Sequence, residues 1–471
     1  MIGRWACALA LTWGTASAEA PAPAAAGPAV LSAAAVLEVV DARVPKLAAA
    51  RFAILEKEAE LLKARGAFDP TLSGKAYRKD QAPYDWTVTD TALLLPLPVG
   101  PEIELGHRLG VGKLPVYAGA DKTLDGGELR VAATVPLLQD LGMPQARADR
   151  LVKEAAVTGA RAKARQAEVA VVAKAALAWS KWVAAGEKLR LAEQQAALAE
   201  RRQGALDRQV AEGAAARIDA LDNARALAER RAAAADAGQE LEVAAGGLSL
   251  WFRGDDLAPI VPARSSLPSA TAAPPAPLPD RAPALARAAA AHPDLAALDA
   301  VIAAADTELR RARSVLLPTL DAQGALARDL GPSTAGPIET QVGVSVKVPV
   351  AFRKGRGGVR AANAALDRLA EERRGLNDAV TTEVAQAWAA AEGARARWVE
   401  AARSVALAEE VAAMERRALE LGASDLFRVV KREEAVAKAT KDLIDARLAW
   451  RAAVIWAAAA TGERVKAVRL E

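Results

Sequence analysis

The sequence predicts a mainly α-helical protein, built as a duplicated unit of β-strands and long antiparallel helices. Three observations predict it: a proline-free stretch too long for a core helix, a set of landmarks that occurs twice, and strands with strict alternation. Hydrophobic residues make up 52% of the 471 residues, but aromatic residues only 4%. Alanine-rich helices that pack closely fit this composition better than a bulky globular core.

The N-terminus has the features of a secretory signal over residues 1–18. Arg4 precedes an apolar run, and residues 16–18 form an A-x-A cleavage site; a buried N-terminal helix is the alternative. Residues 19–31 are rich in proline and alanine and are expected to form a flexible leader. The single cysteine, Cys7, lies in the signal, so we expect no disulfide in the mature chain. No apolar run long enough for a transmembrane helix follows.

Two structural repeats are predicted, at 32–254 and 282–462. Pro45 and Pro70 in the first copy have the same separation as Pro293 and Pro318 in the second. The remaining landmarks recur in the same order: Val135-Pro136-Leu137 with Val348-Pro349-Val350, Glu212-Gly213-Ala214 with Leu421-Gly422-Ala423, and Gly254 with Gly462. Repeats of this length exceed ordinary solenoid units, so the chain is expected to consist of two large copies.

Each copy is predicted to run helix, strands, long helix, turn and returning helix. The predicted first copy has a helix from Pro45, strands at about 71–138, a long helix at 140–211 and a returning helix at 215–253. The second has a helix at 293–316, strands at about 319–350, a long helix at 356–420 and a returning helix at 424–461. A Pro/Ala-rich connector at 255–281 joins the copies, and 463–471 form a tail.

The helix lengths predict an elongated pillar rather than a compact bundle. A proline-free helix from Gly355 to about Glu420 would be roughly 98 Å long. The two shorter helices of a copy, stacked end to end, match that length. The returning limb also carries apolar residues at a seven-residue interval, which favours left-handed coiled packing: Val429, Val436, Leu443 and Trp450.

The strands alternate between apolar and polar residues. Along the last strand, one face carries Val342, Val344, Val346, Val348 and Val350, and the other carries Gln341, Gly343, Ser345 and Lys347. Such segments suit a membrane barrel with a wet lumen and equally suit a half-buried soluble sheet. Residues 82–127 have no counterpart in the second copy, and they would form either added barrel strands or an external hairpin.

Charge and residue inventory argue against catalysis. The 62 basic and 58 acidic residues are interspersed and give a net charge of +4, which does not call for nucleic acid. With only two histidines, His107 and His292, no catalytic triad or His-based metal site is expected, and no cofactor is expected. Arg353, Lys354 and Arg356 form a basic cluster between the last strand and the second long helix.

These features, which recur in the same order in both copies, resemble those of the outer membrane efflux proteins, the TolC family. The resemblance spans about 40–462 and rests on the duplication, Pro-Thr-Leu after the first helix of each copy, the strand ending in Val135-Pro136-Leu137-Leu138, and the glycine turns. It implies a homotrimer in the cell outer membrane, in which strands from each chain form one transmembrane β-barrel, continued by a periplasmic α-helical tube. It also implies a passive export duct, not an enzyme, that meets an inner-membrane pump through a periplasmic adaptor.

The resemblance and the pattern together assign the site residues. Adaptor-docking tips are expected at Glu212, Gly213, Ala214, Leu421, Gly422 and Ala423. The valine row from Val342 to Val350 is expected to face outer membrane lipids, and the basic cluster to lie at headgroup level. A periplasmic gate is expected at Asp219, Asp222, Arg428 and Lys431, with opposite charges at one height. The alternative function is a soluble periplasmic coiled-coil scaffold.

Overall fold

The structure, a computed structural model, describes residues 30–269, 276–331, 335–467 and 470. The predicted signal at 1–18 and most of the leader at 19–31 lie outside these residues. The helices are α1 (Ala33–Arg43), α2 (Pro45–Arg65), α3 (Gln145–Ala211), α4 (Arg217–Ser249), α5 (Arg281–Ala291), α6 (Pro293–Ser314), α7 (Arg353–Glu420) and α8 (Leu426–Ala460). The strands are β1 (Thr71–Gln81), β2 (Tyr84–Pro96), β3 (Glu102–Lys113), β4 (Glu128–Pro136), β5 (Thr319–Leu330) and β6 (Ala335–Lys347).

Each repeat begins with a pair of helices that meet at a proline. Val44 before Pro45 and His292 before Pro293 both have extended backbones, with ψ of 120° and 130°. A proline disfavours the helical conformation in the residue before it. The first helix of each pair therefore ends there, and the second begins with proline at its first position, where the missing N–H costs little. The sequence analysis did not predict α1 and α5.

The long helices start at different residues from those predicted. α3 begins at Gln145 rather than at 140, because Asp140 has a φ of 71° and Pro144 is an extended N-cap residue. α7 begins at Arg353 rather than at 356, directly after Phe352 with a φ of 50°. Both helices continue to the predicted glycine turns, and their 67 and 68 residues correspond to about 100 Å each.

The helices form an elongated pillar in which α3 is central. α3 contacts α2 and α4 of its own repeat and also α6 and α8 of the second repeat, whereas α7 contacts α5, α6 and α8. The main apolar core lies midway along the pillar and includes Trp179, Trp398 and Trp450. In the seven-residue row of α8, Val429, Leu443 and Trp450 are buried and Val436 is half-buried, so the predicted packing face is confirmed.

The connector between the repeats packs against both long helices where it is described. Leu267 is buried against Gly186 of α3, where an added Cβ would lie 2.4 Å from Leu267 Cδ1. Arg264 pairs with Glu193 of α3, and Trp388 Nε1 of α7 donates to Pro279 O at 2.9 Å. A glycine at 186 therefore permits the connector to approach the α3 backbone.

All six strands form one antiparallel sheet in chain order, β1-β2-β3-β4-β5-β6. The first repeat contributes β1 to β4 and the second β5 and β6. β4 pairs with β5, and Val131 lies opposite Leu326. Within the described residues, β1 and β6 each have one unpaired edge. The sheet is therefore open in a single chain.

Two helical segments pass a length-and-composition test for membrane-spanning helices, α3 and the continuous stretch Arg281–Ser314. In α3, 72% of the apolar window is buried inside the protein. Core helices of soluble proteins pass the same test, and the apolar window of Arg281–Ser314 is 33% buried.

Candidate functional site

The predicted lipid-facing valines lie on one face of the edge strand β6. Val342, Val344 and Val346 are 82%, 66% and 64% exposed in the single chain. Leu320 lies opposite Val346, and Ala322 lies opposite Val344. The exposed apolar face thus continues from β6 onto β5.

Val348 and Val350 do not belong to that face, contrary to the sequence-based assignment. β6 ends at Lys347, and residues 348–350 leave the sheet. Pro349 has no N–H to donate to a strand ladder, so strand pairing does not continue through it. The alternation in the sequence continues past the point where the backbone ladder stops.

The opposite face of the sheet carries charged pairs. Arg108 lies 2.9 Å from Asp90 across β2 and β3, and Arg130 lies 2.5 Å from Glu104 across β3 and β4. All four side chains are partly buried. The sheet therefore has one polar face with paired charges and one apolar face, as a barrel wall with a wet interior requires.

A segment between β3 and β4 covers the end of this polar face. Tyr77 Oη donates to Asp121 Oδ2 at 2.8 Å, and Thr123 Oγ1 accepts from the Gly110 N–H at 3.1 Å. Gly110 has no Cβ that would collide with the Asp121 carbonyl. Trp86 of β2, whose side chain points to the same face as that of Tyr77, is fully covered. The sequence analysis did not predict this cover.

The basic cluster lies in the first turn of α7. Arg353, Lys354 and Arg356 are exposed, and within the described residues none of them forms an ion pair. Gly355 between them is buried against the end of α6, where an added Cβ would lie 2.8 Å from Leu316 Cδ2. This contact fixes the junction between sheet and helix while the three cations point into solvent.

Each predicted tip is a helix end closed by a glycine in the left-handed region. At the first tip Gly213 has a φ of 72°, its N–H donates to Val210 O at 3.1 Å, and the Ala214 N–H donates to Gln209 O at 2.7 Å. This pair of hydrogen bonds is the Schellman motif, which satisfies the last carbonyl groups of a helix. Glu212, the C-cap residue, is exposed.

The second tip repeats this geometry. Gly422 has a φ of 73°, its N–H donates to Leu419 O at 3.0 Å, and the Ala423 N–H donates to Ala418 O at 2.8 Å. Leu421 is exposed. Large apolar side chains are also exposed beside the tips: Ile218 and Leu221 at the first, and Phe427 at the second.

Polar contacts that brace the tips differ between the repeats. At the second tip Glu415 accepts a hydrogen bond from Ser424 Oγ and lies 3.4 Å from Arg432 Nε. The Ser424 hydroxyl and then the Arg432 guanidinium lower the pKa of Glu415 below its usual value. At the first tip, Asn223 Nδ2 donates to Ala199 O at 3.1 Å. Sequence reasoning missed both braces.

The four predicted gate residues are exposed near the tips. Asp219 and Asp222 lie at the start of α4, and Arg428 and Lys431 at the start of α8. They therefore occupy equivalent places after the two turns.

Each predicted gate cation has an acidic partner on its own helix. Arg428 Nε lies 3.7 Å from Asp425 Oδ2, and Lys431 Nζ lies 2.9 Å from Glu434 Oε2. Within one described chain the links from Asp219 to Arg428 and from Asp222 to Lys431 are not formed. Asp425 also caps α8 by accepting the Arg428 N–H at 2.8 Å.

Two buried ion pairs join the repeats along the seam between α3 and α8. Arg202 lies 2.5 Å from Glu433, with side chains only 12% and 10% exposed. Arg447 lies 3.0 Å from Glu187, and both side chains are similarly buried. The sequence gives no local pattern that pairs these residues.

Among the described residues, no group of three or more His, Cys, Asp or Glu side chains is arranged to hold a metal ion. His107 Nε2 lies 3.1 Å from Gly126 O. The buried His292 Nδ1 accepts from the Asp294 N–H at 3.2 Å and so caps α6. Both histidines therefore have structural partners.

Comparison with known proteins agrees with this architecture. Residues 284–463 match the family model described as outer membrane efflux protein. No curated protein gives a significant sequence match. Three solved structures have the same fold: a membrane protein from Pseudomonas aeruginosa, VceC of Vibrio cholerae, and the outer membrane channel MtrE of Neisseria gonorrhoeae in its open state.

The similarity to these structures extends over nearly the whole chain. The Pseudomonas protein is 17% identical with a TM-score of 0.65, and the match covers 91% of this chain and 92% of that one. VceC is 14% identical with a TM-score of 0.63, covering 92% and 97%. MtrE is 14% identical with a TM-score of 0.65, covering 92% and 90%.

Nearly the whole chain therefore shares the fold of these channel structures. The match to the outer membrane efflux protein family covers the second repeat, at residues 284–463.

Proposed function

We propose that the chain forms a passive, homotrimeric duct that carries small molecules or proteins from an inner-membrane pump across the outer membrane. The observation that carries this proposal is an open sheet, apolar on one face and charged on the other, at the end of a pillar about 100 Å long. The sheet would form part of a barrel wall, and the pillar part of a periplasmic tube.

The open edges of the sheet argue for several copies in one barrel. Backbone groups in a bilayer must be satisfied within the protein, so a membrane sheet cannot keep free edges. β1 and β6 each leave one edge unpaired in the single chain. Symmetric pairing of β6 with β1 of the next copy satisfies both edges and closes a ring.

Fractionation tests this proposal against the alternative of a soluble periplasmic scaffold. A duct is expected in the outer membrane fraction, extracted by detergent as a trimer. A soluble monomer in the periplasm would contradict the proposal and support the scaffold. The exposed valine row of β6 favours the membrane location, because exposed apolar surface on this scale marks an interaction surface.

The two glycine turns are proposed to dock a periplasmic adaptor. The tips are exposed, end in tight turns and present apolar side chains beside Gly213 and Gly422. Valine at both positions would place a Cβ in the left-handed region, which strains the turn by about 1–3 kcal/mol each. We expect Gly213→Val with Gly422→Val to abolish export while trimers still form.

Two control variants separate docking from turn strain. Gly204 and Gly375 are helical glycines with open space around them, so Gly204→Val with Gly375→Val adds the same bulk away from the tips and should leave export intact. Asparagine tolerates the left-handed conformation. Asparagine at both 213 and 422 therefore adds a side chain at each tip with little strain in the turn. Normal export by the double valine variant would refute the docking role.

A periplasmic gate is proposed at Asp219, Asp222, Arg428 and Lys431. Because neither link from α4 to α8 forms within one chain, the links would join neighbouring copies. Exposed pairs contribute about 0–1 kcal/mol each, which suits a contact that must open on docking. Arg428→Glu should raise the conductance of the trimer in a planar bilayer by repelling Asp219, and adding Asp219→Arg should lower it again. A single variant as closed as the parent would remove these charges from the gate.

The basic cluster at the start of α7 is proposed to lie at the level of the inner-leaflet headgroups. Arg353, Lys354 and Arg356 follow directly after the sheet and point into solvent. Charge reversal at Arg353 and Arg356 should weaken binding of the purified trimer to anionic vesicles relative to neutral vesicles. Unchanged preference for anionic lipid would contradict this placement.

A further inference from the structure

The first repeat contains a strand pair that the second repeat lacks. β1 and β5 both follow the first helices of their repeats, and β4 and β6 both precede the long helices. β2 and β3 lie between β1 and β4 in sequence and in the sheet. We propose that β2 and β3 are wall strands of the membrane barrel, so that three copies of the six-stranded sheet close a barrel of 18 strands. This inference rests on the proposed trimeric duct.

The apolar face continues through β2 and β3 in two successive rows at the tube end of the sheet, and the following row contains Thr91 and His107. One row across the sheet, read from the strand register, is apolar on five successive strands: Leu72, Leu93, Leu105, Val131 and Leu326. The next row includes Leu95 and Ile103 and ends at Val342 of β6. A hairpin outside the membrane or inside the lumen would not need to place leucines in register with the lipid-facing residues of its neighbours.

The polar face also continues through the same two strands. Asp90 of β2 pairs with Arg108 of β3, and Glu104 of β3 pairs with Arg130 of β4. These pairs lie on the face that bears Gln341 in β6, as the register shows. The polar residues of β2 and β3 therefore lie on the same face of the sheet as those of the remaining strands.

The length and anchoring of β2 and β3 also fit a wall position. They contain 13 and 12 residues, which suffices for a tilted membrane strand of about 9–11 residues. Their connecting turn is fixed at the tube end of the sheet, because the Gly142 N–H donates to Val99 O at 3.0 Å. Gly100 in this turn has a φ of 120° and lies against Pro136 at the end of β4.

The even strand number allows the ring to close. In a chain-order antiparallel sheet of six strands, β1 and β6 run in opposite directions. β6 of one copy can therefore pair antiparallel with β1 of the next, as in other even-numbered barrels. Barrels of 16–18 strands enclose an aqueous channel, and the segment held by Tyr77 and Gly110 would lie on the inside of this one.

Lipid quenching tests whether β2 and β3 face the bilayer. Single-cysteine variants Leu93→Cys and Leu105→Cys are labelled with bimane in the purified full-length trimer and reconstituted in phosphatidylcholine vesicles with doxyl-labelled acyl chains. Val344→Cys is the lipid-facing reference, and Ala92→Cys and Ala132→Cys are matched controls on the polar face. We expect Leu93 and Leu105 labels to lose as much fluorescence as the Val344 label, and the controls to lose far less.

The outcomes separate this inference from the proposed function. Quenching at Val344 without quenching at Leu93 and Leu105 would overturn the 18-stranded barrel and leave the duct intact. Absence of quenching at Val344 together with absence of trimers would overturn the duct itself. Equal quenching at Ala92 and Leu93 would also contradict a wall strand, because neighbouring residues of a strand point to opposite faces.

Disulfide trapping tests the strand order directly. Leu72→Cys with Leu93→Cys should cross-link, because the two residues are direct partners on adjacent strands. Leu72→Cys with Val131→Cys should not, since three strand spacings separate them by about 14 Å and a disulfide needs a Cα separation of about 4.4–6.8 Å. The reverse result would mean that β1 pairs with β4 and that β2 and β3 lie outside the wall.

Discussion

The two long helices have nearly the same length and very different surroundings. α3 has 67 residues, of which 20 are buried, whereas α7 has 68 residues, of which 10 are buried. The reason is position, because α3 lies between helices of both repeats and α7 lies on one side of the pillar. The two long helices therefore occupy equivalent places in the repeats but are buried to different extents.

The difference predicts which helix would meet the neighbouring copy in the proposed trimer. The surface of α7 carries exposed apolar side chains in its tip-proximal half: Val399, Leu407, Val411 and Met414. In a tube made from three copies, an exposed helix with apolar residues is a natural seam between protomers. α3 would then hold the single chain together, and α7 would join the chains.

Truncation of the α3 core should have the largest effect. Trp179 is 1% exposed, its Nε1 donates to Leu31 O at 3.0 Å, and Arg451 lies over its ring. Trp179→Ala is expected to lower the free energy of unfolding by about 3–5 kcal/mol, measured by chemical denaturation of the helical signal. Trp456→Ala is the comparison, because that side chain is 46% exposed. Similar losses for both variants would contradict the central role of α3.

Breaking the seam between the repeats should have an effect of similar or smaller size. Arg202→Met leaves the Glu433 carboxylate buried without its partner, which costs about 3–5 kcal/mol when the charge stays buried. Adding Glu433→Met removes that charge and should restore most of the stability, as measured by the same denaturation. A double variant as unstable as the single variant would mean that the ion pair itself, not the orphaned charge, carries the stability.

Much of the helical architecture was predictable because local rules decide it. Gly213 and Gly422 close the tips since a left-handed residue is needed there. The alternation in β5 and β6 predicts strands since one face of each is apolar. α1 and α5 were missed because each has only 11 residues, is rich in alanine and ends just before a proline, although Ser32 does cap α1 by accepting the Ala35 N–H.

Long-range pairings were not predictable from the sequence. Arg202 and Glu433 lie far apart in the chain, and no spacing rule connects them. The brace between Ser424 and Glu415 depends on how α7 and α8 come together beyond the turn. The placement of β2 and β3 inside the sheet depends on their pairing with β1 and β4. The sequence alone was compatible both with added barrel strands and with an external hairpin.

An arginine on the apolar face of β6 tests whether this strand of the second repeat faces lipid. Val344→Arg should cost about 2–4 kcal/mol if Val344 lies near mid-bilayer, and it should reduce membrane assembly and heat resistance of the trimer. Ser345→Arg is the matched control, because Ser345 lies on the polar face opposite Asp321. Unchanged assembly of the Val344 variant would mean that the assigned lipid-facing side is wrong.

A charge on the exposed face of α7 should separate assembly from folding. Leu407 is 54% exposed in the single chain, so Leu407→Asp is expected to change protomer stability little, within about 0.5 kcal/mol for an ordinary surface site. The trimer should dissociate at lower detergent concentration, measured by native electrophoresis. Full trimer retention would show that this face of α7 is not the seam. Gly375→Asp, at an exposed position on the same helix, controls for the added charge.

The smallest effect is expected at the tips, where Glu415 braces the second repeat and the first repeat has Leu206 at the equivalent position. Because the pKa of Glu415 is lowered in the folded protein, its brace stabilises the second tip above the usual carboxyl pKa and is lost as pH falls through the lowered value. Glu415→Gln should speed amide hydrogen exchange at Leu421–Ala423 at neutral pH and abolish the acid-dependent change. The first tip, which has Leu206 at the equivalent position, should exchange alike in both proteins. An acid-dependent change that persists in Glu415→Gln would assign it to another group.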